Sequence, residues 1–415
     1  MRVITVPALL GQLRFEAGVA VVRDGASTIV ATEPAHVRVA HGADGFRALD
    51  EIEHEGGWWA GYLAYDLGRA VEYVVPWAAA DRSIPDLVLA RFDARVVFTP
   101  GADPVVEGHG PARHRLEQAL WNARRATDDA PTAGLADWTS SLDRAAYADS
   151  VKAIHGLLEA GECYQVNLTR RISTPHRADP RALFVALLEQ NPAPHSALLT
   201  FGPEASFCPA VVSASPELFL SLRGDRVTTR PIKGTSSERA ALLGSAKDRA
   251  EHVMIVDLAR NDLGRVCVPG SVRTIELAAL ESHPGLFHLV STIEGRLRPA
   301  TRLADLVHAT FPPASITGAP KPRVMQAIED LEPVRRGVYC GAVGWIDVDA
   351  RAAELAVAIR TFTITHGHTD LGVGGGIVAD SDAESEWAET ELKAQRLLAA
   401  AAPADDESSP RSARP

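Results

Sequence analysis

The stretch ELFLSLRGDRVTTRPIKGTSS, Glu217 to Ser237, reads as two strands folded on a tight turn. Alternating residues flank Gly224-Asp225, a pair suited to reversing the chain. A second stretch, GVYCGAVGWIDVDARAAELAVAIRTFTI (Gly337 to Ile364), reads the same way, with its turn near Val348-Asp349-Ala350. Hairpins join antiparallel neighbours, whereas β-α-β crossovers join parallel ones. The expected fold class is therefore α+β, with antiparallel sheets and helices packed outside them. The first hairpin runs into Pro231-Ile232-Lys233-Gly234-Thr235, which sets an ammonium at the mouth of a sheet. A free lysine has a pKa near 10.4, so only about one in a few thousand is neutral at pH 7. Desolvation can lower that value and make the amine a nucleophile. On these residues alone, a surface lysine on a loop is an equal reading.

The helices between these strands carry glycine or proline punctuation. Asp143–Gly161, Ser245–Gly264, the run TRLADLVHATF, the run KPRVMQAIEDLE and the final DAESEWAETELKAQRLLAAA all have helical spacing. Cys163–Ile172 reads as a strand. Upstream, Gly56–Gly68 and Leu87–Phe98 look like strands, and residues 1–120 show few long helical patterns. The turn-rich segment 125–141 is the best internal linker, and the tail from Ala402 is expected to be disordered. This divides the chain into an N-terminal β-rich region, 1–125, that packs with the main unit, a unit at 142–401, and a tail at 402–415.

The chain has 415 residues, 46% hydrophobic and 23% charged, ordinary values for a globular enzyme with a large core. Its net charge of −11, without a basic stripe, argues against nucleic acid as a partner. An anionic substrate would need local cations, a metal or backbone amides. Four scattered cysteines without a C-x-x-C suggest a reduced, intracellular protein. No signal-peptide cleavage pattern and no apolar run of roughly 20 residues is present, so the expected location is the cytoplasm.

Several residues invite a chemical reading. Asp248 and Glu251 lie three apart on one helix, and Glu386 and Glu389 repeat that spacing on the last. Four carboxylates on two helices suit Mg²⁺, a hard cation that prefers oxygen. Solvated surface acids paired with Lys247 or Lys393 are the more frequent outcome of such spacing. Gly374, Gly375 and Gly376 bare the backbone, so their amides can form an anion-binding nest, or merely a bulge or turn. In FPPASITGAPKPR, Phe311 to Arg323, Ser315, Thr317 and the Gly318 amide precede a helix start, where Lys321 adds a cation. A plain interhelical loop fits equally. Arg360 interrupts an apolar strand and needs a carboxylate partner, from protein or ligand. His288 sits in an apolar strand, where a satisfied core histidine is the commoner reading. Glu217 opens a strand just upstream of Lys233, as a general acid or as an ordinary strand-end acid.

Taken in order, GECYQVNLTRR, SPELFL, PIKGT, KDRAEHVMIVDLARNDLGRV, HLVST, FPPASITGAPKPRVM, AIRT and GGGIVADSDAESEWAET span residues 142–401. This series resembles the chorismate-utilising enzymes, the family of anthranilate synthase component I. GGWWAGYLAYDLG matches its N-terminal region more weakly. The resemblance implies a two-layer antiparallel β-sandwich surrounded by helices. It implies Mg²⁺ held by Glu251 and Glu389, with Asp248 and Glu386 as direct or water-mediated partners. The ring carboxylate of chorismate would lie on that metal, with the amides around Gly375 and Gly376 and with Lys393. Arg360 and Tyr339 would take the enolpyruvyl carboxylate, while His288, Ser315 and Thr235 would line the substrate.

Two positions divide the family. Gln165 stands where the water-adding isochorismate and salicylate synthases carry a lysine base. Lys233 stands where anthranilate synthases carry alanine in PIAGT. The chain thus resembles the large subunits of aminodeoxychorismate synthases, in which the lysine attacks ring carbon two while Glu217 protonates the departing hydroxyl. The resemblance further implies a separate glutamine amidotransferase as ammonia source, and p-aminobenzoate and folate formation as the destination. Anthranilate synthase is the rival within the family, and a non-catalytic chorismate-binding subunit the rival outside it.

Overall fold

A computed structural model describes residues 4–125, 133–236, 238–283 and 286–403, with backbone alone at 235, 241, 246–248, 283 and 286. Residues 126–132 of the linker and 404–415 of the tail lie outside the described residues. Among those described, two large antiparallel sheets carry the molecule.

The first sheet has eleven strands. Its path runs Gly318–Ala319, Gln165–Thr174, Thr369–Ile377, Thr361–Ile364, Ala210–Ser215, His195–Thr200, Val19–Asp24, Ser27–Thr32, Ala94–Phe98, Val105–Gly108, with Thr139–Ser140 beside Gln165–Thr174. The second has ten. Its path runs Ile232–Ser236, Leu286–Arg296, Arg226–Arg230, Leu218–Arg223, Ala352–Val357, Ala342–Asp347, Trp58–Leu63, Leu87–Phe92, His36–Ala40, with Arg273–His283 also on Leu286–Arg296.

Both hairpins form. Arg223 pairs with Arg226 across Gly224-Asp225, and Asp347 pairs with Ala352 across the second turn. Strand alternation then sorts side chains between layers. Val19 and Val21 face a cluster with Leu116, Leu183 and Leu397 of the outer helices. Ala20 and Val22 face the other sheet, meeting Trp58, Tyr62 and Trp345. Each such large apolar side chain contributes about 1.5–3 kcal/mol on full burial. The result is a sandwich with helices outside it.

N-terminal strands are hydrogen-bonded into both sheets: Val19 pairs with Thr200, and Leu63 with Ala342. Three local expectations need correction. Leu87–Phe98 is two strands in different sheets, broken at Asp93. Gly56–Gly68 gives the strand Trp58–Leu63 and then a 3₁₀ turn over Tyr65–Ala70. Two helices, Asp44–Glu55 and Gly110–Ala123, stand in the region read as showing few long helical patterns. The buried face of Gly110–Ala123 is alanine-rich, so its periodicity is weak, whereas Asp44–Glu55 carries a clear apolar stripe of Ala48, Leu49 and Ile52 that the reading passed over. No helix of the described residues is long and apolar enough to cross a membrane.

Candidate active site

The site gathers where the ends of the two sheets meet the helices Ala246–Gly264 and Ala383–Ala401. Lys233 lies on Ile232–Ser236, the last strand of the second sheet's path. Ile232 pairs with Val290 and Lys233 with Leu289, then the register slips to Thr235 with His288. Gly234 sits in the slip at φ 75°, a left-handed conformation that favours glycine. Burial pushes the Lys233 pKa down, partly countered by the carboxylate of Glu251. Lys393 lowers it further, while Glu217 and Glu389 raise it. The residue keeps part of its stem accessible, so the amine is its enclosed end.

Facing that amine is Gly376 on the strand Thr369–Ile377. A Cβ placed on Gly376 would lie 3.1 Å from Lys233 Nζ, 2.7 Å from Gln165 Nε2 and 3.0 Å from Gln165 Cδ. Amine, carboxamide and bare backbone thus share one spot. Gln165 is fully buried, and neither its Oε1 nor its Nε2 has a hydrogen-bond partner among the described residues. A buried amide left unpaired costs about 1–3 kcal/mol, a cost that a ligand pairing it would offset. Alternation turns Gly375 the other way. There a Cβ would lie 3.1 Å from Glu386 Oε2 and 4.0 Å from Lys393 Nζ. These glycines are not a nest, as the sequence had allowed. Gly375 and Gly376 are laddered to Leu168 and Asn167, and none of Gly374–Gly376 has positive φ. Their contribution is missing side chains.

Glu217 is 3% exposed, and burial pushes its pKa up to about 7. Hydrogen bonds from Ser315 and from the Ile232 amide (3.4 Å), and the charge of Lys233, hold it from rising further. Near neutrality this carboxyl is therefore partly protonated beside the amine, the state a general acid requires. Ser315 is itself buried on the 3₁₀ turn Ala314–Ile316. His288 is buried next to Leu289, the residue paired with Lys233.

Glu251 and Glu389 act on the Lys233 amine from two different helices. Glu386 is 7% exposed and accepts a hydrogen bond from Ser381 Oγ at 2.6 Å. Both Glu386 and Glu389 lie close enough to add to the burial-driven rise of the Tyr147 pKa. Glu389 also pairs with Lys393 at 2.7 Å, the ordinary surface pairing that its spacing allowed, and Lys393 Nζ donates to Gly374 O at 2.8 Å. The side chains of Asp248 and Thr235 lie outside the described residues. Among those described, no three histidine, cysteine or acidic side chains cluster as metal ligands. Glu251, Glu386 and Glu389 each offer oxygen alone, the ligand type that Mg²⁺ favours over a softer metal.

Arg360 stands at φ 50° and makes no ion pair with a protein carboxylate among the described residues. Burial lowers its pKa, and Arg396 lowers it further. A guanidinium enclosed without an acid suits an anionic ligand. Tyr339 is buried against Gly372, four residues along the strand from Gly376, and lines a small cleft with Arg336 and Glu332. No described contact joins it to Lys233. Lys321 is not available to an anion. It pairs with Asp262 at 2.6 Å and donates to Thr310 O at 2.9 Å, both side chains being 6% exposed.

His252, beside Glu251, escaped notice in the sequence because a histidine on a helix carries no signal of its own. It is fully buried, with Nε2 2.6 Å from Ser291 Oγ, and burial with the Lys233 charge holds its pKa to about 4.

Residues 11–399 match the family described as chorismate binding enzyme. The chain belongs to that family. It is 39% identical over 352 residues to aminodeoxychorismate synthase component 1 of Salmonella typhimurium, covering 81% of this chain and 75% of that one. The Escherichia coli counterpart is 37% identical, with 84% and 78% covered. Anthranilate synthase component 1 of Thermus thermophilus is also 37% identical, with 82% and 76% covered. Among solved structures, anthranilate synthase component I from Streptococcus pneumoniae superposes with a TM-score of 0.79 at 26% identity, over 89% of this chain and 92% of that one. The menaquinone-specific isochorismate synthase of Escherichia coli, at 19% identity and a TM-score of 0.74, shares the fold. Aminodeoxychorismate synthase component 1 and anthranilate synthase component 1 thus stand at similar identity to this chain.

Proposed function

We propose that this protein converts chorismate and ammonia to 4-amino-4-deoxychorismate, the step that leads to p-aminobenzoate. The observation that carries this is Lys233, an amine with a lowered pKa set between Gly376 and a partly protonated Glu217. The Lys233 nitrogen attacks ring carbon two. The ring double bonds shift, the bond from carbon four to its hydroxyl breaks, and Glu217 supplies the proton that lets it leave as water. Ammonia then bonds to carbon four, the double bonds shift back, and the carbon–nitrogen bond to Lys233 breaks. The amine is regenerated, and the proton shed by ammonia returns Glu217 to its acid form. General acid help of this kind is worth typically about 10²–10⁴-fold.

Mg²⁺, held by Glu251 and Glu389 with Asp248 and Glu386, would supply positive charge for the ring carboxylate. Arg360 and Tyr339 take the enolpyruvyl carboxylate. Gly375, Gly376 and Lys393 frame the ring carboxylate, and His288, Ser315 and Thr235 line the ring. Gln165 offers a carboxamide where a water-activating base would stand, so water is poorly activated. The ammonia comes from a glutamine amidotransferase subunit. The relatives carry the name component 1, and the cysteines here are unsuited to glutamine hydrolysis. Cys208, Cys267 and Cys340 are buried, with pKa values pushed up to about 12, 11 and 12, the reverse of a reactive thiolate.

The test is the product formed from chorismate, Mg²⁺ and ammonium salt. Aminodeoxychorismate that vanishes in Lys233→Ala, with chorismate still bound, supports the proposal. Direct release of anthranilate and pyruvate would assign the other amination instead.

A further inference from the structure

Ser291 occupies the place where both neighbours of its strand break register. On one side, Arg226–Arg230 gives way to Ile232–Ser236 at Pro231, which has no amide to donate. There the Ser291 amide donates to Pro231 O at 3.2 Å. On the other side, the pairing with Arg273–His283 slips between Glu276 and Ala279. Ala278 lies in that slip at φ 50°, and its freed amide donates to Ser291 Oγ at 2.8 Å. From above, His252 Nε2 of the helix Ala246–Gly264 meets the same Oγ at 2.6 Å. Ser291 and His252 are both fully buried.

One residue therefore ties together two elements: the Ser291 amide holds Pro231, two residues before Lys233, and its hydroxyl holds His252, one residue after Glu251, on the helix. Neither Ser291 of HLVST nor His252 of AEHVM has a role in the chemistry described above. We propose that Ser291 and His252 are positioning residues: their hydrogen bond sets the height of the Lys233 amine relative to the Glu251 helix, and so its distance to the ring. This rests on the reading of Lys233 as the nucleophile. A covalent step is sensitive to such placement, because an error of about 1 Å costs on the order of 10²-fold. Affinity for chorismate, held by other groups, is much less sensitive.

The experiment uses the full chain with chorismate, Mg²⁺ and ammonium salt. Ser291→Ala removes one oxygen, His252→Leu removes the imidazole, and His252→Gln keeps a hydrogen-bonding group. The expected result is a fall in kcat of about tenfold or more for Ser291→Ala and His252→Leu. KM for chorismate stays within about twofold. With ammonia withheld, the mass of the dehydrated substrate on Lys233 accumulates more slowly in both, and His252→Gln restores most of the rate. Unchanged kcat in Ser291→Ala overturns the proposal, as does a KM that rises as much as kcat falls, or a His252→Gln variant no better than His252→Leu. If His252→Leu does not fold, Ser291→Ala decides alone. Lys233→Ala, run in parallel, judges the nucleophile reading separately, since it leaves the serine–histidine pair untouched.

Discussion

Lys233 stands over Gly376 so closely that a single methyl group there would lie 3.1 Å from its amine and 2.7 Å from the Gln165 amide. The strand position must be glycine for the lysine and the glutamine to be where they are. Gly376→Ala is expected to cut ammonium-dependent turnover by about 10²-fold, with the fold intact by circular dichroism. Turnover within twofold of wild type would show that the amine does not need that space.

Glu217 makes a prediction with two opposite signs. Its folded pKa, about 7, lies above the ordinary 4.5. As pH rises from about 4.5 to 7, the unfolded chain gives up this proton and the folded one keeps it. Stability contributed by the group is thus complete below 4.5 and drains away up to about 7. Glu217→Gln removes the buried charge, so it should unfold at a higher temperature than wild type at pH 8, by an amount on the order of 1–3 kcal/mol, and by little at pH 4.5. Turnover should fall by about 10²–10⁴-fold. Wild-type kcat should decline on the alkaline side of about pH 7 as the acid loses its proton. A variant that is both active and no more stable at pH 8 contradicts this account.

Among the described residues Gln165 is buried with no hydrogen-bond partner, so the unliganded protein bears its cost. Replacing it with leucine should raise the urea midpoint, by about 1–3 kcal/mol of stability, while chorismate turnover drops. If Gln165→Leu is less stable than wild type, the amide has a partner that a ligand does not supply.

The acids of the two helices should act as a metal set. Removing Mg²⁺ with a chelator is expected to abolish turnover reversibly, with the concentration of Mg²⁺ for half activity rising about tenfold or more in Glu251→Gln and Glu389→Gln. Titration of activity against Mg²⁺ checks this. Metal-independent turnover would leave both glutamates as simple field-setting charges on Lys233.

Much of this molecule is legible in its residues. The two hairpins follow from alternation and turn chemistry, which act over a few neighbours, and the helices of the catalytic half follow from their spacing. Lys233 and Glu217 were visible because each breaks the local pattern. Arg360 stood out as a charge in an apolar strand, and among the described residues it is enclosed without a protein acid. The glycine run was recognised, but a nest and a turn were the two readings open to it and the structure lays it in a regular strand, because backbone freedom alone does not say whether glycine turns or leaves space. Lys321 looked available until Asp262, 59 residues earlier, was found beside it.

Local preference thus determined which segments are strands, where they turn, and which side chains break their surroundings. Only the tertiary structure decided that Gln165, Lys233 and Gly376, over 200 residues apart at the extremes, meet at one point. It also raised the Glu217 pKa, and joined His252 to Ser291. Burial and through-space charge depend on what the rest of the chain brings near, and no window of sequence contains that information.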